Sequence, residues 1–80
     1  MKQVSIYSTP SCTYCRMAKE FFKEHNIAYT EYNVASDVNK RAEMIEKTGQ
    51  MGVPVIAIDN ALIVGFNRMK VAELLGVAPE

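Results

Sequence analysis

Both cysteines of the chain fall in one stretch, Tyr7-Ser8-Thr9-Pro10-Ser11-Cys12-Thr13-Tyr14-Cys15-Arg16, with two residues between them. Here one hydrophobic period gives way to another. Before it, Val4-Ser5-Ile6-Tyr7 alternates β-branched and polar residues, as a strand does. After it, Met17, Ala18, Phe21 and Phe22 recur at helical spacing, and Arg16, Lys19, Glu20, Lys23 and Glu24 take the opposite face. A strand that turns into a helix with a thiol pair at the junction constrains the chain more than any other feature. Pro10 keeps Thr9 out of the helical region, and Ser11 is the expected N-cap, which places Cys12 in the first helical turn. His25-Asn26 ends the helix.

The remaining pattern follows in short units. Ala28-Tyr29-Thr30-Glu31-Tyr32-Asn33-Val34 alternates aromatic and polar residues and reads as a second strand, parallel to the first because a helix connects them. Ser36 or Asp37 caps the next helix. Its expected buried stripe is Val38, Ala42 and Ile45, joined by Met44, and Gly49 supplies the C-cap. Val53-Pro54-Val55-Ile56-Ala57-Ile58 is apolar enough for a strand buried on both faces, with Pro54 at its start or edge. Asp59-Asn60 makes a tight hairpin turn, and Ala61-Leu62-Ile63-Val64 returns antiparallel. Asn67 caps a last helix with core residues Val71, Leu74 and Leu75, ended by Gly76. The expected order is β-α-β-α-β-β-α. This is an α/β chain with a four-stranded mixed sheet flanked by helices, the smallest thioredoxin-type architecture, and residues 1–80 form one domain.

Composition narrows the function. Nine basic and nine acidic residues cancel, and no basic stripe offers an electrostatic footprint for nucleic acid. No apolar run approaches the ~18–20 residues of a membrane span. The N-terminus enters a strand pattern directly and lacks a signal-peptide apolar region, so a cytoplasmic location is expected. In a reducing compartment a lone Cys-x-x-Cys pair points to redox catalysis or metal binding before a structural disulfide. Zinc needs four ligands, and the chain has two cysteines and one histidine, His25, at the far end of the helix. No metal ligand set is therefore assigned.

Cys12-Thr13-Tyr14-Cys15, Gly52-Val53-Pro54 and Gly65-Phe66, in that order, resemble a glutaredoxin. The likeness runs from Val4 to Leu75 and extends to the short bacterial glutaredoxin-like electron donors of ribonucleotide reductase. It implies a dithiol–disulfide oxidoreductase with glutathione as co-substrate and disulfide-containing proteins as partners. It implies Cys12 as nucleophile, Cys15 as resolving cysteine and Tyr14 as the aromatic residue between them. Val53-Pro54 matches a cis peptide bond that presents the Val53 backbone to a substrate strand or to the cysteine of glutathione. Gly65 matches the glycine at the γ-glutamyl end. The substrate- and glutathione-binding positions are then Thr9, Thr13, Tyr14, Gln50, Met51, Gly52, Val53, Pro54, Gly65, Phe66 and Asn67.

Several positions depart from the family pattern. Thr13 replaces a frequent proline, Thr9 a frequent lysine, Gln50 a basic residue and Asn67 a frequent aspartate. Charged contacts to glutathione are thinned accordingly. Two alternatives stay open beside a glutathione-reduced monomer: a donor reduced by thioredoxin reductase, and a dimer bridging an iron–sulfur cluster through Cys12 and glutathione. Whatever the reductant, the attacking species is a thiolate. A helix N-terminus favours negative charge on Cys12, with Lys19 or Arg16 as a distant cation. Cys15, one turn on, is within disulfide reach of Cys12.

Overall fold

Val4–Ser8 (β1) lies inside the sheet, and its neighbours on either side run in opposite senses. The computed structural model describes residues 3–50 and 52–77. After β1 come α1 (Thr13–Glu24), β2 (Thr30–Asn33), α2 (Val38–Thr48), β3 (Val55–Ile58), β4 (Ala61–Val64) and α3 (Arg68–Leu75). The expected order of elements is therefore observed. The sheet order is β2-β1-β3-β4. β1 pairs parallel with β2, in register Ile6 with Glu31, and antiparallel with β3, in register Ile6 with Ile56. β3 and β4 form the hairpin, with Ile58 opposite Ala61 and Asp59 at φ 52° in the turn.

Strand parity divides the core in two. Val4, Ile6, Ile56, Ile58 and Ile63 face α1 and α3, packing on Ala18, Phe21, Phe22, Val71 and Ala72. Tyr7 and Val55 face the other way, toward Met44 of α2 and Val34. Burial of a side chain such as Phe22 stabilises the fold by roughly 1.5–3 kcal/mol. Asp37 caps α2 through the Lys40 N–H at 3.0 Å, and Asn67 caps α3 through the Lys70 N–H at 3.1 Å. Gly49 and Gly76 close those helices at φ 73° and 72°, in the left-handed region that glycine adopts without a Cβ penalty.

Several expectations change. β2 and β3 are shorter than their sequence patterns, and Val53-Pro54 precedes β3. Ser11 is not the cap of α1; Cys12 is. Met17 is exposed, and Cys15 takes its place on the buried face, because positions 15, 18 and 22 form a stripe of the same helical period. In α2, Val38 is exposed, Ala42 is exposed and Ile45 is half-buried, so Met44 alone carries the buried contact. In α3, Val71 and Ala72 are buried, whereas Leu74 and Leu75 only flank the core.

Candidate active site

Strand register gathers three loops at one edge of the sheet. Tyr7 pairs with Val55 and Val55 with Val64, so the end of β1, the start of β3 and the end of β4 lie side by side. The loops concerned are Thr9–Cys12, Gly52–Pro54 and Gly65–Asn67. The Gly65 N–H donates to the Pro54 carbonyl at 2.7 Å and ties the second loop to the third. The Val53-Pro54 bond is cis. Gly65 has φ 84°, a conformation that a side chain would strain.

Cys12 ends the first loop. Its backbone is extended, at φ −87° and ψ 115°, and its N–H donates to the Thr9 carbonyl at 3.3 Å. Its Sγ accepts the Cys15 N–H at 3.1 Å. The sulfur thus does what a Ser or Asp oxygen does at a helix start: it takes an amide N–H that α1 cannot satisfy internally. Cys12 is half-buried, and Cys15 is fully buried one turn on. Both thiols are free. Burial pushes the Cys15 thiol up to about 12, and the contact with Cys12 adds to it; the Thr9 backbone and the Lys19 ammonium act in the opposite sense. One sulfur is partly accessible, and the other lies buried one helical turn behind it.

The other expected site residues distribute unevenly. Thr13 and Tyr14 are exposed on the first turn of α1. Thr9 is half-buried and serves through its backbone. Val53 is half-buried beside buried Pro54. The Gln50 amide turns back on the loop: Oε1 accepts the Gly52 N–H at 2.6 Å, and Nε2 donates to the Gly52 carbonyl at 3.2 Å. Asn67 is engaged in capping α3. The Phe66 ring stands 5.9 Å from Phe21, edge-on, and packs against the core, with the Arg68 guanidinium over both rings at 5.9 and 5.7 Å. Met51 lies outside the described residues.

Ser8 and Glu31 escaped the sequence reading, and Lys19, expected only as a distant cation for Cys12, is tied to Glu31. Ser8, buried at the end of β1, donates to Glu31 Oε2 at 2.8 Å. Lys19 Nζ reaches the same oxygen at 2.8 Å. The pairing with Lys19, and then the Ser8 hydroxyl, hold the Glu31 carboxyl below its usual range, and Glu31 raises Lys19 in return. The signal was available in strand parity: Ser8 shares the core-facing side of Val4 and Ile6, an unusual place for a hydroxyl without a partner. On the opposite face the Tyr7 hydroxyl donates to Glu43 Oε2 at 2.7 Å, and Lys40 joins that carboxylate at 3.3 Å. Burial, then the Glu43 contact, raises the Tyr7 phenol. No helix among the described residues is long and apolar enough to cross a membrane. Nor do three or more His, Cys, Asp or Glu side chains gather among them to hold a metal ion.

The comparisons agree with this geometry. The family model described as Glutaredoxin matches residues 4–63. A glutaredoxin-like 8.6 kDa protein of a rubredoxin operon in Clostridium pasteurianum is 46% identical over 72 residues, which span 90% of this chain and 96% of that one. The glutaredoxin-like protein NrdH of Lactococcus lactis is 35% identical over 74 residues, 89% of this chain and 97% of that one. A crystal structure of a single-residue mutant of the thioredoxin-like protein BC3987 superposes with a TM-score of 0.90 at 32% identity. It covers 98% of this chain and all of that one. The expected thioredoxin fold is thereby established.

Proposed function

The chain belongs to the glutaredoxin family of thiol–disulfide oxidoreductases, and on that premise we propose that it reduces disulfides through Cys12 and Cys15, with glutathione as the electron source. The observation that carries the reading is the pairing of a half-buried Cys12 sulfur, held by an amide N–H, with a buried Cys15 thiol one turn behind it. The Cys12 thiolate attacks a substrate disulfide and forms a mixed disulfide, releasing the first substrate thiol. Cys15 then attacks Cys12 Sγ, the mixed disulfide breaks, and the second substrate sulfur leaves as a thiol. The Cys12–Cys15 disulfide is returned to the dithiol by two glutathione molecules. Where the substrate is itself a glutathione mixed disulfide, Cys12 takes up the glutathionyl group, and a further glutathione releases it.

The Gly52–Pro54 and Gly65–Asn67 loops form the wall against which the substrate lies, with Thr13, Tyr14 and Phe66 at its rim. Disulfide-containing proteins of the cytoplasm are the partners, and the protein acts as a monomer.

A second reading of the reductant has its own support. Of the two side chains that would grip glutathione polar ends, Gln50 spends both ends of its amide on Gly52, and Asn67 Oδ1 is taken by the Lys70 N–H. A site without these grips suits a protein reductant, and thioredoxin reductase is the alternative donor. A low-molecular-weight mixed disulfide, assayed with glutathione plus glutathione reductase and again with thioredoxin reductase, separates the two. Turnover in the first system supports glutathione. Turnover confined to the second assigns the flavoprotein, and none in either removes the oxidoreductase cycle drawn here.

A further inference from the structure

Cys15 poses a problem for the second exchange. It is fully buried, and burial holds its proton. Only its thiolate attacks. Lys19 follows Cys15 by four residues on α1, so the two side chains lie on the same helix face one turn apart. The Lys19 ammonium is not loose there. Its Nζ sits 2.8 Å from Glu31 Oε2 of β2, and that oxygen also receives the buried Ser8 hydroxyl at 2.8 Å from β1. Two strands therefore anchor one cation against the helix that bears the resolving thiol.

We propose that Lys19, anchored by Glu31 and Ser8, is a positioning residue for the resolving step, its ammonium stabilising the Cys15 thiolate as it forms to attack Cys12 Sγ. This rests on the dithiol cycle of the preceding subsection. In the step, the Cys15 S–H bond breaks and a Cys15–Cys12 S–S bond forms. The bond from Cys12 to the substrate sulfur breaks, and the departing sulfur leaves with the bonding pair and takes the proton. The two cysteines are oxidised to a disulfide and the substrate is reduced to a thiol. No further base is required. The charged and ionisable groups around Cys15 are Cys12 and Lys19 of α1, with Glu31 of β2 behind Lys19; Lys23 and Tyr29 flank that ion pair. Against the burial that raises Cys15, the Lys19 charge draws it down.

The test uses one equivalent of dithiobis(nitrobenzoate) followed by stopped-flow absorbance. Attack by Cys12 releases one coloured thiolate, and resolution by Cys15 releases the second. In Lys19→Met the first release is expected to change much less than the second. The second slows about tenfold at neutral pH and needs about one more pH unit to recover, since a tenfold change in thiolate fraction is one unit. Lys19→Gln is the second variant, with the same expectation. Lys19→Arg, which reaches the same carboxylate, is expected to restore the second phase and its pH profile. A second phase unchanged in both charge-removing variants overturns the proposal, as does an equal slowing of both phases. Absence of any first release in the native protein would instead sink the dithiol cycle itself.

Discussion

The Cys15 backbone N–H holds the Cys12 sulfur at 3.1 Å, while the Cys15 sulfur lies wholly out of solvent. One residue is thus both the clamp on the half-buried Cys12 thiol and the bearer of the buried thiol behind it. Its backbone holds the Cys12 sulfur, and in the proposed cycle its side chain acts after Cys12 has formed a bond to substrate. The buried sulfur is protected from unwanted partners, at the cost of a proton that is hard to remove.

That cost has a thermodynamic signature. A thiol whose folded-state value is raised from its ordinary 9.0 to about 12 binds more protons folded than unfolded over that interval. Stability therefore falls as pH rises above about 9. Tyr7, also raised, adds to the fall above its ordinary 10.0. Urea unfolding midpoints measured between pH 8 and pH 10 on the reduced protein are expected to decline, and Cys15→Ala to flatten the decline whatever its absolute stability. A slope unchanged in Cys15→Ala would show that the burial cost is not carried by this thiol.

The Tyr7–Glu43 hydrogen bond links β1 to α2 and has the opposite pH sense. Glu43 is held below its ordinary 4.5, first by the Tyr7 hydroxyl, so its contribution is present above that value and lost as pH falls through the lowered one. Tyr7→Phe keeps the ring in the core and is expected to cost about 1 kcal/mol near pH 7. Partial exposure of the carboxylate keeps the figure at the low end for a charged acceptor. The difference from the native protein should shrink below pH 4, and a difference that persists there would assign the loss to packing.

Much of this architecture was legible because local rules and tertiary packing agreed. Asp37, Asn67, Gly49 and Gly76 cap where their chemistry says they should, and the hairpin turns at Asp59-Asn60. Of the candidate site, the thiol pair and the Val53-Pro54 and Gly65-Phe66 loops were legible as motifs, and the strand register brings their loops to one end of the sheet. The site's finer geometry was not legible. Ser11 is the better N-cap by type, but the loop delays the helix start by one residue and gives the role to a sulfur. Met17 and Cys15 fit the helical period on adjacent stripes, and only the position of the sheet decides between them. The Ser8–Glu31–Lys19 cluster joins β1, β2 and α1, so no local window contains it.

The capping role of Asn67 separates stability from reductant preference. Asn67→Ala should cost about 1 kcal/mol through the lost cap. Asn67→Asp keeps the cap and adds a charge that the helix N-terminus favours. Thermal unfolding of Asn67→Asp is expected to match the native protein or exceed it slightly, while its KM for glutathione falls several-fold if the added carboxylate meets the glutathione amino group. An unchanged KM would place glutathione away from α3.

The cycle stands on Cys12 attacking first and Cys15 resolving. Its most direct test is mass spectrometry of Cys15→Ser after treatment with glutathione disulfide, with peptide mapping of the product. The account predicts a single stable glutathione adduct, confined to Cys12, on a protein that still deglutathionylates but no longer reduces protein disulfides. No adduct, or undiminished reduction of protein disulfides by Cys15→Ser, would contradict it.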